Sequence, residues 1–402
     1  MATAFPLPSA IPAAGIVDRH PSQLNWITNT YDFPAIEPEQ LTLAFPTPPQ
    51  AEQSIDSEFV SLLATENGAQ LYVSGFGLSL GKKSERVVVK HKGKACAEVP
   101  FLKLQEIVVG SRGVSISTDL IDAACERGLR IAFLTASGKP YALLTSPLLT
   151  ATVETRKAQF ASLDNDTGAT IARSIVAGKL RNQEKLLRYF ARTRNAEQQA
   201  ALNKTAQAIR LIRKKAGAVE GGSTAAVRPS LLGFEGVAGR LYWEQWSNIL
   251  PETLEFTGRR HLGPADGVNA SLNYGYGVLT SHVWGAAMNA GLEPFAGFLH
   301  TDRSGKPSLV LDLVEEFRQP VVDRAIFGWL ARGGRPRIES GSGMLDGPSR
   351  EEVAARVLAR LNNTEQHRGK SHQVRSIIQM QARTCAAAVR GFRTYRPFPF
   401  TW

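Results

Sequence analysis

The apolar residues of this chain change period once. Between about residues 70 and 147 they fall in short β-type runs: Leu71–Ser74, Arg86–Lys90, Glu106–Val109, Val114–Ser117, Arg130–Leu134 and Tyr141–Leu144. Glycine-containing turn signals separate several of them, at 81–83, 92–94, 111–113 and 136–140. One helix is expected among them, with Thr118 as N-cap, Leu120, Ile121 and Ala124 as its apolar face, and Gly128 as its stop. The glycines of Gly75–Gly81 suggest a phosphate loop, but a β-type run follows where such a loop should open a helix. After about Pro147 the spacing is helical, with helices expected over 171–192 and around 197–214, 231–248, 268–290, 309–333, 350–362 and 373–390. The fold class is therefore α+β, a small β-rich N-terminal domain (68–147) followed by a larger all-α domain (148–402).

Residues 1–67 read as an arm or linker. Nine of the 22 prolines fall within the first 50 residues, and each fixes φ and removes a backbone donor. Trp26, Ile27, Tyr31 and Phe33 are placed to dock such an arm, although a leader without a role of its own fits equally well. No basic n-region precedes a continuous apolar core, so no secretory leader is expected. No apolar run approaches the ~20 residues that a membrane helix needs. The three cysteines, Cys96, Cys125 and Cys385, are far apart and suit a reducing cytoplasm better than a disulfide framework.

The formal net charge is +11, and residues 173–215 hold twelve Lys/Arg against two acids, a local excess of ten. Arg181, Lys185, Arg188 and Arg192 step by four, three and four, so they align along one side of a helix and can track phosphates. A solvated helix face normally mixes both signs; this nearly single-signed one points to nucleic acid.

Three segments put acids or histidine into apolar company. Glu235 sits among glycines and aromatics, after a helix start expected at Pro229 and Ser230, and needs a cation: a metal, Arg228 or Arg240. His300 ends the apolar run 294–300 at the mouth of a polar loop. Asp312 and Glu315 share one face of an apolar helix, where Arg318 or a divalent metal can separate their charges. Glu235, His300 and Glu315, with Asp312 as a possible additional acid, would make an oxygen-rich site with one imidazole, suited to Mg²⁺ or Mn²⁺.

These segments, in this order, resemble the CRISPR-associated endonuclease of the spacer-adaptation complex, the integrase that inserts new spacers. The matching motifs are Gly68–Val73 (GAQLYV), Pro100–Gly110 (PFLKLQEIVVG), Ala177–Gln183 (AGKLRNQ), Leu232–Gly236 (LGFEG), Arg259-Arg260 with Asp266–Tyr276 (DGVNASLNYGY), Gly297–His300 (GFLH) and Asp312–Arg318 (DLVEEFR). The resemblance implies that Glu235, His300 and Glu315 are metal ligands, with Asp312 on a further acid near the site. It implies a homodimer, and two such dimers flanking a small ferredoxin-like partner subunit. The implied substrates are double-stranded prespacer DNA and the leader-proximal repeat. Two departures stand out: residues 1–67 lie outside the family core, and Glu316 stands where the family often has proline.

The expected reaction is transesterification, in which a DNA 3′-hydroxyl attacks a repeat phosphodiester. Lys179, Arg181, Lys185, Arg188, Arg192, Arg259 and Arg260 are the expected DNA contacts. Rival readings are a non-catalytic DNA-binding scaffold of the same fold and a transposon-borne integrase of the same family.

Overall fold

The computed structural model describes residues 56–57, 59–65, 68–144, 152–260, 266–339, 341–367 and 369–400. The proline-rich arm with Trp26, Ile27, Tyr31 and Phe33 lies outside the described residues, as does the junction 145–151 where the period changes.

Ten strands and one helix come first: β1 (Asp56–Ser57), β2 (Val60–Thr65), β3 (Gly68–Val73), β4 (Leu78–Lys83), β5 (Arg86–His91), β6 (Lys94–Pro100), β7 (Leu104–Val109), β8 (Ser115–Ile116), α1 (Thr118–Glu126), β9 (Arg130–Leu134) and β10 (Pro140–Leu144). They form a six-stranded sheet ordered β1-β2-β3-β7-β9-β10 and a four-stranded sheet ordered β6-β5-β4-β8. In the larger sheet β7 lies parallel to both β3 and β9, and the other pairs are antiparallel. Strand alternation gives this sheet two buried faces. Leu71, Val73, Ile107, Val109 and Ile131 join Leu78, Leu80, Val87 and Val89 of the second sheet and Leu120, Ala123 and Ala124 of α1 in one core. Tyr72, Val108 and Leu134 point the other way, into the helical core.

The β-rich part departs from the sequence reading at its start and at the α1 cap, and agrees with it at Gly75–Gly81. It begins at Asp56, inside the segment read as an arm, because β2 pairs with β3 from Val60↔Val73 to Thr65↔Gly68. The Gly75–Gly81 segment is a bend that runs into β4, with Gly75 and Gly77 at positive φ, and holds no phosphate loop. The cap of α1 is Ser117, whose Oγ accepts from the Leu120 amide at 3.3 Å.

The helical part runs α2 (Thr152–Ser162), α3 (Asp166–Ala191), α4 (Ala196–Gly217), α5 (Thr224–Ile249), α6 (Gly267–Asn289), α7 (Ser308–Glu315), α8 (Arg324–Ala331), α9 (Gly347–Asn362) and α10 (Val374–Val389). Pro229 lies inside α5, which starts five residues earlier under a Ser223 cap. The single helix expected over 309–333 is broken: a π-helical turn, Arg318–Asp323, separates α7 from α8. Pro320 sits in that turn, where it withholds one backbone donor. The part expected to be all-α also holds two short strands, β11 (Thr364–His367) and β12 (Lys370–Gln373), paired antiparallel between α9 and α10.

Helix α6 is the seam between sheet and helices. The Tyr72 and Tyr274 hydroxyls meet at 2.6 Å. The β9–β10 turn rests directly on α6 at Gly277, where an added Cβ would lie 1.5 Å from the Gly138 carbonyl oxygen. The glycines of the NYGYG run are thus packing residues. No described helix is long and apolar enough to cross a membrane.

Candidate metal centre

Helices α3, α5 and α7 converge on one charged cluster. Glu235 comes from α5, Glu315 from the last residue of α7, and the ammonium of Lys179, on α3, lies between them. Lys179 Nζ is 2.5 Å from Glu235 Oε1 and 2.6 Å from Glu315 Oε2. Arg318 takes the other oxygen of Glu315 at 2.8 Å. Burial works to raise the Glu315 pKa, but Arg318 and Lys179 outweigh it and hold the carboxyl at about 2. Burial likewise opposes the charge of Lys179, and Glu315 and Glu235 more than compensate, so its pKa is raised.

The loop between α6 and α7 supplies His300. Asp312, fully buried, accepts from the backbone amides of Phe298 (2.6 Å), Leu299 (2.9 Å) and His300 (2.9 Å). Its Oδ1 also takes His300 Nδ1 at 2.7 Å. Asp312 therefore holds the loop and orients the imidazole. With Nδ1 donating to a carboxylate, Nε2 carries the free lone pair, the tautomer a metal ligand needs. The loop closes tightly on α7: a Cβ on Gly297 would lie 2.6 Å from the Ser308 Cβ. Burial lowers the His300 pKa, but the hydrogen bond and charge of Asp312, then the charges of Glu315 and Glu235, raise it overall. Glu235, His300 and Glu315 thus share one electrostatic neighbourhood.

A second layer lies behind Arg318. Its guanidinium stacks over the Tyr276 ring at 4.3 Å. Tyr276 and Tyr242 both donate to the buried carboxylate of Asp323, the latter at 2.7 Å. Burial pushes Asp323 up to about 6 against those two hydrogen bonds and the charges of Arg318 and Arg259. Nothing in the sequence spacing announced this network, since its members lie on three separate elements.

The donor set suits a hard divalent cation. Glu315 Oε2 is buried against the Lys179 ammonium, which it shares with Glu235 Oε1. Two carboxylates bridged by a single ammonium, beside an imidazole whose Nε2 is left free by the Nδ1–Asp312 bond, are the donor types that such an ion takes. Among the described residues, however, no three His, Cys, Asp or Glu side chains already form a ligand cluster. The lysine occupies the gap between the glutamates.

The expected DNA contacts divide. Arg192 and Arg260 are exposed, and Arg181 and Lys185 are half-buried. Arg188, also half-buried, pairs with Glu184 at 3.4 Å. Lys179 is 8% exposed and turned inward, not part of the surface stripe. The sequence carried that signal: Lys179 is two residues before Arg181, about 200° round the helix. Arg259 is also engaged, donating to Asn269 (3.0 Å) and Asn273 (2.6 Å) and lying over the Trp243 and Tyr276 rings. Glu316 turns away from the centre to Tyr395, Gln381 and Phe398.

Comparison with known proteins agrees with this architecture. Residues 71–387 match the family described as CRISPR associated protein Cas1. A CRISPR-associated endonuclease Cas1 from Archaeoglobus fulgidus is 35% identical over 346 residues, covering 83% of this chain and 100% of the relative. In fold, the chain resembles a casposase bound to its integration product (TM-score 0.68, 21% identity, 82% of this chain and 93% of that one). It also resembles a chain of a Cas6-RT-Cas1–Cas2 complex (TM-score 0.67, 20% identity, 84% and 37%). A match over most of the chain, carried by a relative aligned along its whole length, establishes that this protein belongs to the Cas1 family.

Proposed function

We infer that the protein is a CRISPR spacer integrase, a DNA endonuclease/integrase that joins the 3′-hydroxyl of a short DNA duplex to a phosphodiester of the repeat. The attacking oxygen forms the new P–O bond while the 3′-oxygen of the cut strand leaves, so no nucleotide hydrolysis is needed. The observation that carries the reading is the meeting of Glu235, Glu315 and an Asp312-oriented His300 in a chain of this family.

The chemistry is divalent-metal-dependent in this reading. Held by Glu235, His300 and Glu315, Mg²⁺ or Mn²⁺ supplies Lewis-acid charge neutralisation at the phosphoryl group. Asp312 keeps His300 Nδ1 protonated, so the imidazole acts as a ligand and not as a general base. Arg318, braced by Tyr276, keeps Glu315 ionised and in place. Arg181, Lys185, Arg188, Arg192 and Arg260 hold the DNA backbone, with specificity from ends and branch geometry more than from base contacts.

The partners proposed are prespacer and repeat DNA, a second copy of the chain, and a small Cas2-type subunit in the cytoplasm. The curated endonuclease relatives and the fold shared with a chain of a Cas1–Cas2 complex support that assembly. The test is strand joining of a 3′-hydroxyl duplex into repeat DNA with Mn²⁺. His300→Ala and Glu315→Gln should lower strand joining by about 10²–10³ while retaining DNA binding. Full activity in either variant rejects the site, and binding of branched DNA with no metal-dependent joining by the wild type supports a scaffold instead.

A further inference from the structure

The carboxylate pair is already neutral before any metal arrives. Two negative groups, Glu235 and Glu315, face two positive ones, Lys179 and Arg318. Three of their four oxygens have a cationic partner: Glu315 Oε1 meets Arg318, while Glu315 Oε2 and Glu235 Oε1 share Lys179. Adding a divalent ion to these four groups would leave them with an excess of two positive charges, offset only at longer range by Asp312 behind His300 and Asp323 behind Arg318. One of the two resident cations has to move.

The geometry selects which. Arg318 is braced on a ring face and set in the π-helical turn behind α7. Its planar fork is pre-organised and loses little on staying. Lys179 hangs on a flexible four-carbon stem, and its single ammonium is divided between Glu235 at 2.5 Å and Glu315 at 2.6 Å. A compact charge on such a stem can swing away without disturbing the helices.

We propose that Lys179 is an internal counter-cation that stands in for the divalent ion between Glu235 and Glu315 and must withdraw for the ion to enter, so that this one side chain sets the affinity of the site for metal. The proposal rests on the metal-site reading above and adds to it a competitor supplied by the chain itself. It also gives Lys179 two roles in sequence. In the metal-free protein it holds two like charges together, Glu315 buried and Glu235 partly exposed. Released, it carries its charge toward the anionic DNA that the site is built to receive.

The test is Mn²⁺ binding to the full-length chain by calorimetry, with thermal unfolding measured with and without the ion. Lys179→Met removes the competitor and leaves two uncompensated carboxylates. Its metal-free melting temperature should fall below that of the wild type, Mn²⁺ should recover most of the loss, and the ion should bind at least tenfold more tightly. Lys179→Arg keeps the charge and adds a fork that bridges both carboxylates, so it should bind Mn²⁺ at least tenfold more weakly than the wild type. If the Met variant is too unstable to handle without metal, the Arg variant alone carries the comparison. Equal Mn²⁺ affinity in wild type, Met and Arg variants overturns the role of Lys179 while leaving the metal site intact. A Met variant that is destabilised and not recovered by Mn²⁺, while the wild type binds the ion, shows Lys179 to be a structural tie and also overturns the proposal. No Mn²⁺ binding in any of the three, with or without repeat DNA, instead removes the metal-site reading on which it stands.

Discussion

The two sides of the end of α7 make an instructive pair. Glu315 and Glu316 are adjacent, and both are buried. Glu315 faces α3 and α5, where Arg318 and Lys179 hold it at about 2 despite burial. Glu316 faces the C-terminal segment. Burial pushes it to about 7, because its partners are neutral: the Tyr395 hydroxyl (2.6 Å), the Gln381 amide (2.8 Å) and the Phe398 backbone N–H (2.5 Å). One side therefore keeps an ionised carboxylate, the one proposed above as a metal ligand. The other uses the same functional group as a latch that ties residues 395–398 to the helical core. Burial alone does not make an acid functional; the kind of partner does.

The sharpest way to break this comparison is at Asp312, which belongs to the charged side but serves as an anchor. Asp312→Ala strands three backbone amides and the His300 ring, so unfolding free energy should fall by about 3–5 kcal/mol. Denaturant melts check this, and a loss below ~1 kcal/mol would mean that the loop holds itself. Next comes the pair itself. Glu315→Gln should lower strand joining by about 10²–10³, whereas Glu316→Gln should leave it within a few-fold. Equal losses in the two variants would erase the distinction.

The pH dependence of stability separates the two sides further. The Glu316 pKa rises on folding from its ordinary 4.5 to about 7, so the folded state binds the extra proton. Its contribution is complete below pH 4.5 and is lost as the pH rises to about 7. Relative to wild type, Glu316→Gln should be more stable at pH 8 than at pH 5 by roughly 2–3 kcal/mol. Glu315 runs the opposite way: its stabilisation is present above 4.5 and is lost as the pH falls toward 2. Glu106 does the same at the sheet–α6 seam, where burial is outweighed by His282 (2.7 Å) and Arg130 (3.6 Å). Urea melts of wild type and Glu316→Gln from pH 3 to 8 should show both slopes. The smallest effect is expected on the surface: neutralising Arg181 and Lys185 should weaken DNA binding and reduce the salt slope by about 1 per contact, as titrations at several salt concentrations would show.

Much of this was legible in the chain. Apolar alternation announced β3, β7 and β9, and the 3.6-residue period announced α3 to α6, α9 and α10, because burial of one face leaves a local imprint. Strands β4 and β6 escaped: Gly81–Lys83 of β4 read as a turn after only Leu78 and Leu80, and the alternating set of β6 is weakly apolar, Ala95, Ala97 and Val99. The break at Pro320 was visible as a residue, but nothing in its neighbours told that α7 would end at Glu315.

The sequence by itself determined which residue types stand at positions 235, 300, 312 and 315 and that each sat in apolar company needing a counter-charge. Arg318 could be named from its spacing to Glu315, but only the tertiary structure decided the remaining partners. Asp312 became the anchor of a loop, Glu316 a latch, and Lys179 left the basic stripe to lie between two glutamates. The reason is that periodicity records how a residue meets its own helix, whereas the partners that decided these roles come from other elements, 12 residues away for His300 and Asp312 and 56 for Lys179 and Glu235, and no local pattern encodes them.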